Sequence, residues 1–151
     1  MEPEETPALG NALEFMRLLW SMAHGMQSRS KRMEAALGVT GPQRLAVRIL
    51  GRSPGMTAGA LASAMCVHPS TLTGILRRLE SHGLVEKKRD RTDGRKVLLV
   101  LTSAGKKLDG HQSGTTEAAV RRSLGRLDEA EVEVARKVLE ILTEEIARTD
   151  R

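Results

Sequence analysis

Apolar residues recur every three or four positions at the start of the chain: Leu9, Ala12, Leu13, Met16, Leu19, Trp20, Ala23 and Met26, then Met33 and Leu37. That spacing repeats on one face of a helix and predicts a long amphipathic helix from Leu9. The stripe weakens across the polar stretch Gln27 to Arg32, and Gly38 offers a C-terminal stop. Residues 1–8, acidic and polar, are expected to form a disordered tail. Thr40 and Gln43 fit a capping box that opens a short helix from Pro42 to about Leu50. That helix should bury Leu45, Val47, Ile49 and Leu50. Arg52 to Gly55 reads as a turn, Met56 as a brief edge strand, and Thr57 as the cap of a third helix through Ala60, Leu61, Ala64 and Met65. Pro69 suits the first turn of a fourth helix with His68 at its N-cap. It runs to about Ser81, with Leu72, Ile75, Leu76 and Leu79 inward, and Gly83 ends it in the left-handed region. Leu84 to Lys88 and Lys96 to Leu101 then read as strands, with Asp93-Gly94 as a tight turn at the hairpin tip. Thr102 caps a fifth helix whose Gly105, Gly110 and Gly114 blur its register. Asp128 and Glu131 cap the last helix, with Val132, Ala135, Val138, Leu139, Leu142 and Ile146 as its stripe.

The fourth helix, a strand, a charged loop and a strand, in that order over residues 68–102, read as a winged helix-turn-helix, a unit that sets a helix in a DNA groove. The expected fold is therefore mainly α with a small β-hairpin wing. Residues 39–102 would be the DNA-binding domain, and 9–38 and 103–147 dimerisation helices. The terminal stripes are left over by the winged unit. They can pack on each other within one chain or interleave with a second copy. A reader of a two-fold, near-palindromic operator needs two heads, which favours a homodimer.

Charge sharpens the choice of partner. The net charge is +5, and residues 15–76 carry seven bases against one acid. Residues 77–96 carry eight bases against four acids, whereas 128–151 carry eight acids against four bases. A basic centre between acidic ends attracts phosphate backbones. Aromatic residues are limited to Phe15 and Trp20, so there is no stacking platform for single strands. Double-stranded DNA is the expected partner. No apolar run approaches membrane-spanning length, and the N-terminus has no secretion-signal pattern. One cysteine excludes an internal disulfide and fits a reducing, cytoplasmic setting.

The candidate DNA contacts fall on the fourth helix and the hairpin. Ser70, Thr71, Thr73, Arg77 and Arg78 lie outside the apolar set, with His68 just ahead of them. The first turn of such a helix meets base edges, where hydroxyls donate or accept. Ser70 and Thr71 can equally serve as local caps. Arg77 and Arg78 can reach a phosphate or a guanine. The hairpin bases Lys88, Arg89, Arg91 and Arg95 would form a wing beside the minor groove, whose narrow parts attract arginine. Arg95 is placed to enter it, with Asp93 and Gly94 shaping the turn. The plainer alternative is a solvated hairpin whose charges protect an edge strand.

Other chemistry finds little support. No catalytic triad, carboxylate pair or phosphate-cradling loop stands out, so no enzyme activity and no cofactor are expected. His24, His68, His82 and His111 lack zinc-ligand spacing. Cys66, behind Met65 on a helix of small apolar residues, is expected to be a buried core residue. The alternative is a redox-responsive thiol at the turn into the fourth helix. Trp20 is expected in the core, or lining a ligand pocket.

Several short segments together resemble one family: Leu61-Ala62, Ser70-Thr71-Leu72-Thr73, Leu79-Glu80, Gly83-Leu84-Val85, Asp93-Gly94-Arg95, and Leu101-Thr102 with Gly105. Over about residues 10–147 the chain is similar to the MarR (multiple antibiotic resistance regulator) family of bacterial transcriptional regulators. The resemblance implies a dimer of winged subunits joined by the first and last helices. It implies repression of promoters, relieved in many members by small phenolic or lipophilic ligands and in some by thiol oxidation or metal. It makes Ser70, Thr71, Thr73 and Arg77 major-groove residues and Arg95 the minor-groove arginine. The chain departs from the pattern at Gly74, where many relatives carry a basic or larger polar side chain, and at His68, which replaces a small cap. Cys66 is not at the first-helix position of the peroxide-sensing cysteines. A non-regulatory, architectural DNA binder of the same fold is the remaining alternative.

Overall fold

The computed structural model describes residues 8–148, so residues 1–7 of the expected tail lie outside the described residues. The described elements are α1 (Gly10–Leu37), α2 (Gly41–Arg52), α3 (Ala58–Met65), α4 (Pro69–Ser81), β1 (Val85–Arg89), β2 (Val97–Leu101), α5 (Ser103–Gly110), α6 (Thr116–Leu124) and α7 (Glu129–Ala147). They fall into two compact units, one ending at Gln112 and one beginning at Ser113.

The first unit is the winged body. The capping box of α2 forms, with the Gln43 amide donating to the Thr40 hydroxyl and the Thr40 amide to Gln43 Oε1. Val39, Ala46, Val47, Leu50, Leu61, Ala62, Met65, Leu72, Ile75, Leu76, Leu79, Val85, Leu99 and Leu101 make one continuous aliphatic core. Leu45 is 47% exposed, against the expectation that it is buried. The inward face of α2 instead runs through Gln43, Ala46, Val47 and Leu50, one step away in helical phase.

β1 and β2 pair antiparallel from Val85 opposite Leu101 to Arg89 opposite Val97. Met56 adds the brief edge strand: Leu99 donates to its carbonyl at 2.7 Å and Gly55 donates to Leu99 at 3.0 Å. Thr102 accepts from the Gly105 amide at 3.1 Å to start α5, and its hydroxyl donates to the Gly83 carbonyl. Gly105 is required there, because a Cβ would overlap the Leu84 carbonyl.

The fifth helix expected from Thr102 forms, and a further short helix that the blurred register did not reveal follows it. α5 ends at Gly110, and α6 begins after Thr115, whose hydroxyl caps it. α5 packs on α2 and lies in the first unit. Arg44, 1% exposed, donates to the carbonyls of Leu108, Asp109 and His111, which close α5. Arg48 pairs with the Asp109 carboxylate at 2.6 Å. Gly51 leaves room for that carboxylate, since a Cβ would overlap it.

α1 is anchored only toward its C-terminal end. Met33 is buried, the Ser30 hydroxyl accepts from the Gly41 amide at 2.7 Å, and Gly38 (φ +74°) ends the helix. Before that anchor most of its apolar residues are exposed, including Leu13, Met16, Trp20 at 71%, Met22 and Met26, whereas Leu19 is half-buried. Trp20 is therefore not a core residue. In the second unit the α7 capping box of Asp128 and Glu131 forms. Val132, Ala135, Val138 and Leu142 are half-buried, whereas Val134, Leu139, Ile141 and Ile146 are exposed.

Candidate nucleic-acid interface

α3 and α4 are joined by three residues, and the joint is sharp because Cys66 adopts the left-handed conformation (φ 54°). It is the only described non-glycine residue that does so. Its exposure corrects the expectation of burial. A left-handed C-cap turns off the helix path, so the side chain leaves the face that Leu61 and Met65 bury.

α4 begins at Pro69, where the missing N–H leaves no orphan donor. His68 caps it: the Ser70 amide donates to imidazole Nδ1 at 3.2 Å, and Ser70 Oγ lies 2.7 Å from the same nitrogen. Leu72, Ile75, Leu76 and Leu79 seat the helix on the core. His68, Ser70, Thr71, Thr73, Gly74, Arg77 and Arg78 are all exposed on the rest of its surface. The Thr73 hydroxyl donates to the Pro69 carbonyl at 3.0 Å, leaving lone pairs and a methyl group outward. A Cβ at Gly74 would meet nothing, so this face has a gap between Thr73 and Arg77.

The wing follows directly, its first strand tied to α4 by Lys87 on Glu80 at 3.3 Å. Its tip is a loop from Asp90 to Lys96 closed by bonds of its own. Asp90 donates to the Lys96 carbonyl, Lys96 to the Asp93 carbonyl, and Arg95 to Asp93 Oδ1. Arg89 reaches the Gly94 carbonyl at 3.1 Å. The side chains of Arg91 and Arg95 are exposed, and Lys88 is exposed beside Glu86. Asp90, not singled out by sequence reasoning, accepts from both the amide and the hydroxyl of Thr92. Those bonds, with the Lys96 charge, hold its carboxyl below the ordinary aspartate value. The signal for it was an Asp followed two residues later by Thr, an Asx-turn pattern.

The exposed side of α4 thus carries a hydroxyl-rich start and two arginines further along, and the wing that follows it ends in a braced basic loop. Trp20 lies outside both, on α1. Among the described residues no cluster of three His, Cys, Asp or Glu could hold a metal ion, and no helix is long and apolar enough to cross a membrane.

Comparison with known proteins places this geometry. The MarR family model matches residues 39–97. The HTH-type transcriptional repressor Rv2887 of Mycobacterium tuberculosis is 32% identical over 106 residues, spanning 70% of this chain and 76% of that protein. The organic hydroperoxide resistance transcriptional regulator of Bacillus subtilis is 33% identical over 88 residues, 58% of this chain and 60% of the relative. Among solved structures, S. aureus MepR in its DNA-binding conformation superposes with a TM-score of 0.73 at 22% identity, covering 87% of this chain and 98% of MepR. The Rv2887 complex with salicylic acid superposes at 0.55 with 28% identity, covering 91% and 98%. The chain belongs to the MarR family of DNA-binding transcriptional regulators.

Proposed function

We propose that this chain is a repressor that binds a near-palindromic operator as a homodimer and is released by a small lipophilic or phenolic ligand. The observation that carries the reading is the division of α4. Its apolar side chains are all buried, whereas Ser70, Thr71, Thr73, Arg77 and Arg78 all face out beside a basic wing. In this reading His68, Ser70, Thr71, Thr73 and Arg77 work in the major groove. Arg78, Lys88, Arg89 and Arg91 hold phosphates, and Arg95 enters the minor groove. Asp93 and Gly94 shape the tip.

The exposed apolar residues of α1, and separately those of α6–α7, are faces that a second copy would cover. In this reading dimerisation falls to α1 and to α6–α7, with residues 39–102 as the DNA-binding domain and α5 packed on its α2. Trp20 is the candidate wall of a ligand pocket completed in the dimer. A related regulator, Rv2887, has been solved with salicylic acid, which supports a ligand of that class. A non-enzymatic role and a cytoplasmic location accompany this reading.

Purified protein incubated with fragments of its own genome tests the proposal. It should retain a few discrete fragments sharing a two-fold motif. Retention of fragments in proportion to length alone would refute it and favour the architectural alternative.

A further inference from the structure

With its ring neutral, His68 gives the contact with Ser70 a single polarity. The Ser70 amide lies 3.2 Å from His68 Nδ1, and an amide can only donate. Nδ1 therefore accepts and carries no hydrogen, and the neutral ring holds its proton on Nε2. Ser70 Oγ lies 2.7 Å from that same Nδ1. With no proton on the neutral ring's Nδ1, the hydroxyl is the donor in this contact, sharing the one Nδ1 lone pair with the amide. A serine hydroxyl has one hydrogen, so Ser70 has only lone pairs left to present outward. Both residues are exposed at the end of α4 that the proposed function sets against base edges.

Resting on that reading, we infer that His68 is a specificity-determining residue that fixes Ser70 as an acceptor-only reader of the major groove. An acceptor there finds donors only on the exocyclic amino groups, adenine N6 and cytosine N4. The exposed major-groove polar atoms of guanine and thymine are themselves acceptors. Ser70 therefore selects adenine or cytosine on the strand it faces and disfavours guanine or thymine. A small cap at position 68 that left the hydroxyl free would let Ser70 donate as well as accept, and so read either class. The use of imidazole as a cap thus narrows what the serine beside it can recognise.

Selection from a random duplex library tests this. The wild-type protein should hold one position of each half-site to adenine or cytosine. Ser70→Ala should erase that discrimination, and His68→Ala should relax it toward guanine or thymine at the same position. A wild type that selects no motif overturns both this inference and the function it rests on. A motif whose Ser70-dependent position holds guanine or thymine, or that neither variant alters, overturns the inference alone.

Because losing the cap can loosen α4, a second measurement leaves position 68 intact. The selected adenine or cytosine is replaced by the same base without its amino group. The wild type should lose roughly three- to tenfold in affinity, the range of one neutral hydrogen bond. Ser70→Ala should lose nothing further. Equal losses in the two proteins would overturn the assignment.

Discussion

Arg95 shows how one residue can be divided between fold and function. Its amide is bound to Asp93 Oδ1, whereas its side chain is exposed. Arg95→Ala should leave the thermal unfolding midpoint unchanged and weaken operator binding by about 1–3 kcal/mol, the range of a charged contact to DNA. A gel-shift titration checks it, and unchanged affinity would remove Arg95 from the groove. Cys66 makes a prediction of the opposite kind. Its left-handed backbone is costly for any residue with a Cβ. Cys66→Gly should raise stability by about 1 kcal/mol, visible as a higher Tm by circular dichroism. A lower Tm would mean that the exposed thiol makes contacts worth more than the strain. The two positions differ in how far sequence reaches. A basic residue after Asp93-Gly94 marks a hairpin tip by composition. Nothing in the pattern marks a cysteine as a left-handed cap, and the small apolar residues before it point toward burial.

At the scale of elements, period and caps carried most of the fold. The four-residue phase of Leu72, Ile75, Leu76 and Leu79 fixed the inward face of α4, and Thr40, Thr57, Thr102 and Asp128 marked helix starts that the structure shows. The break between α5 and α6 was not legible, because Gly105, Gly110 and Gly114 look alike in sequence and act differently. Gly105 is a close approach inside α5, Gly110 is its last residue, and Gly114 (φ +71°) lies in the connection. The Arg44 clamp on α5 was also hidden, since it joins residues 64 or more apart. The wing loop gives a test in pH. Asp90 binds Thr92 as a carboxylate, so its folded pKa lies below the ordinary 3.8. The order it confers is complete above the unfolded pKa and is lost as pH falls through the lower folded value. The Thr92 amide resonance should therefore titrate with a midpoint below 3.8, and Asp90→Asn should abolish that titration. A midpoint at or above the ordinary value would show that the loop is not held this way.

For the whole molecule, the decisive features lie on surfaces that the single chain leaves open. Sequence stripes predicted apolar faces on the first and last helices, and the structure exposes Trp20 at 71% and Ile146 at 73%. What covers those faces cannot be read from periodicity, because a stripe specifies burial and not the surface that provides it. Sedimentation at micromolar concentration should give twice the 16.5 kDa chain mass, and a stable monomer would contradict dimerisation through them. The central claim is that the exposed face of α4 and the wing read a specific duplex. It is tested most directly by titrating a genomic site retained by the protein against a scrambled duplex of equal length, near 0.15 M salt. The account predicts binding to the site at least about 10³-fold tighter than to the scrambled duplex, with two chains per duplex. Equal affinity for the two duplexes, falling together as salt rises, would show a protein that holds phosphates and reads no sequence.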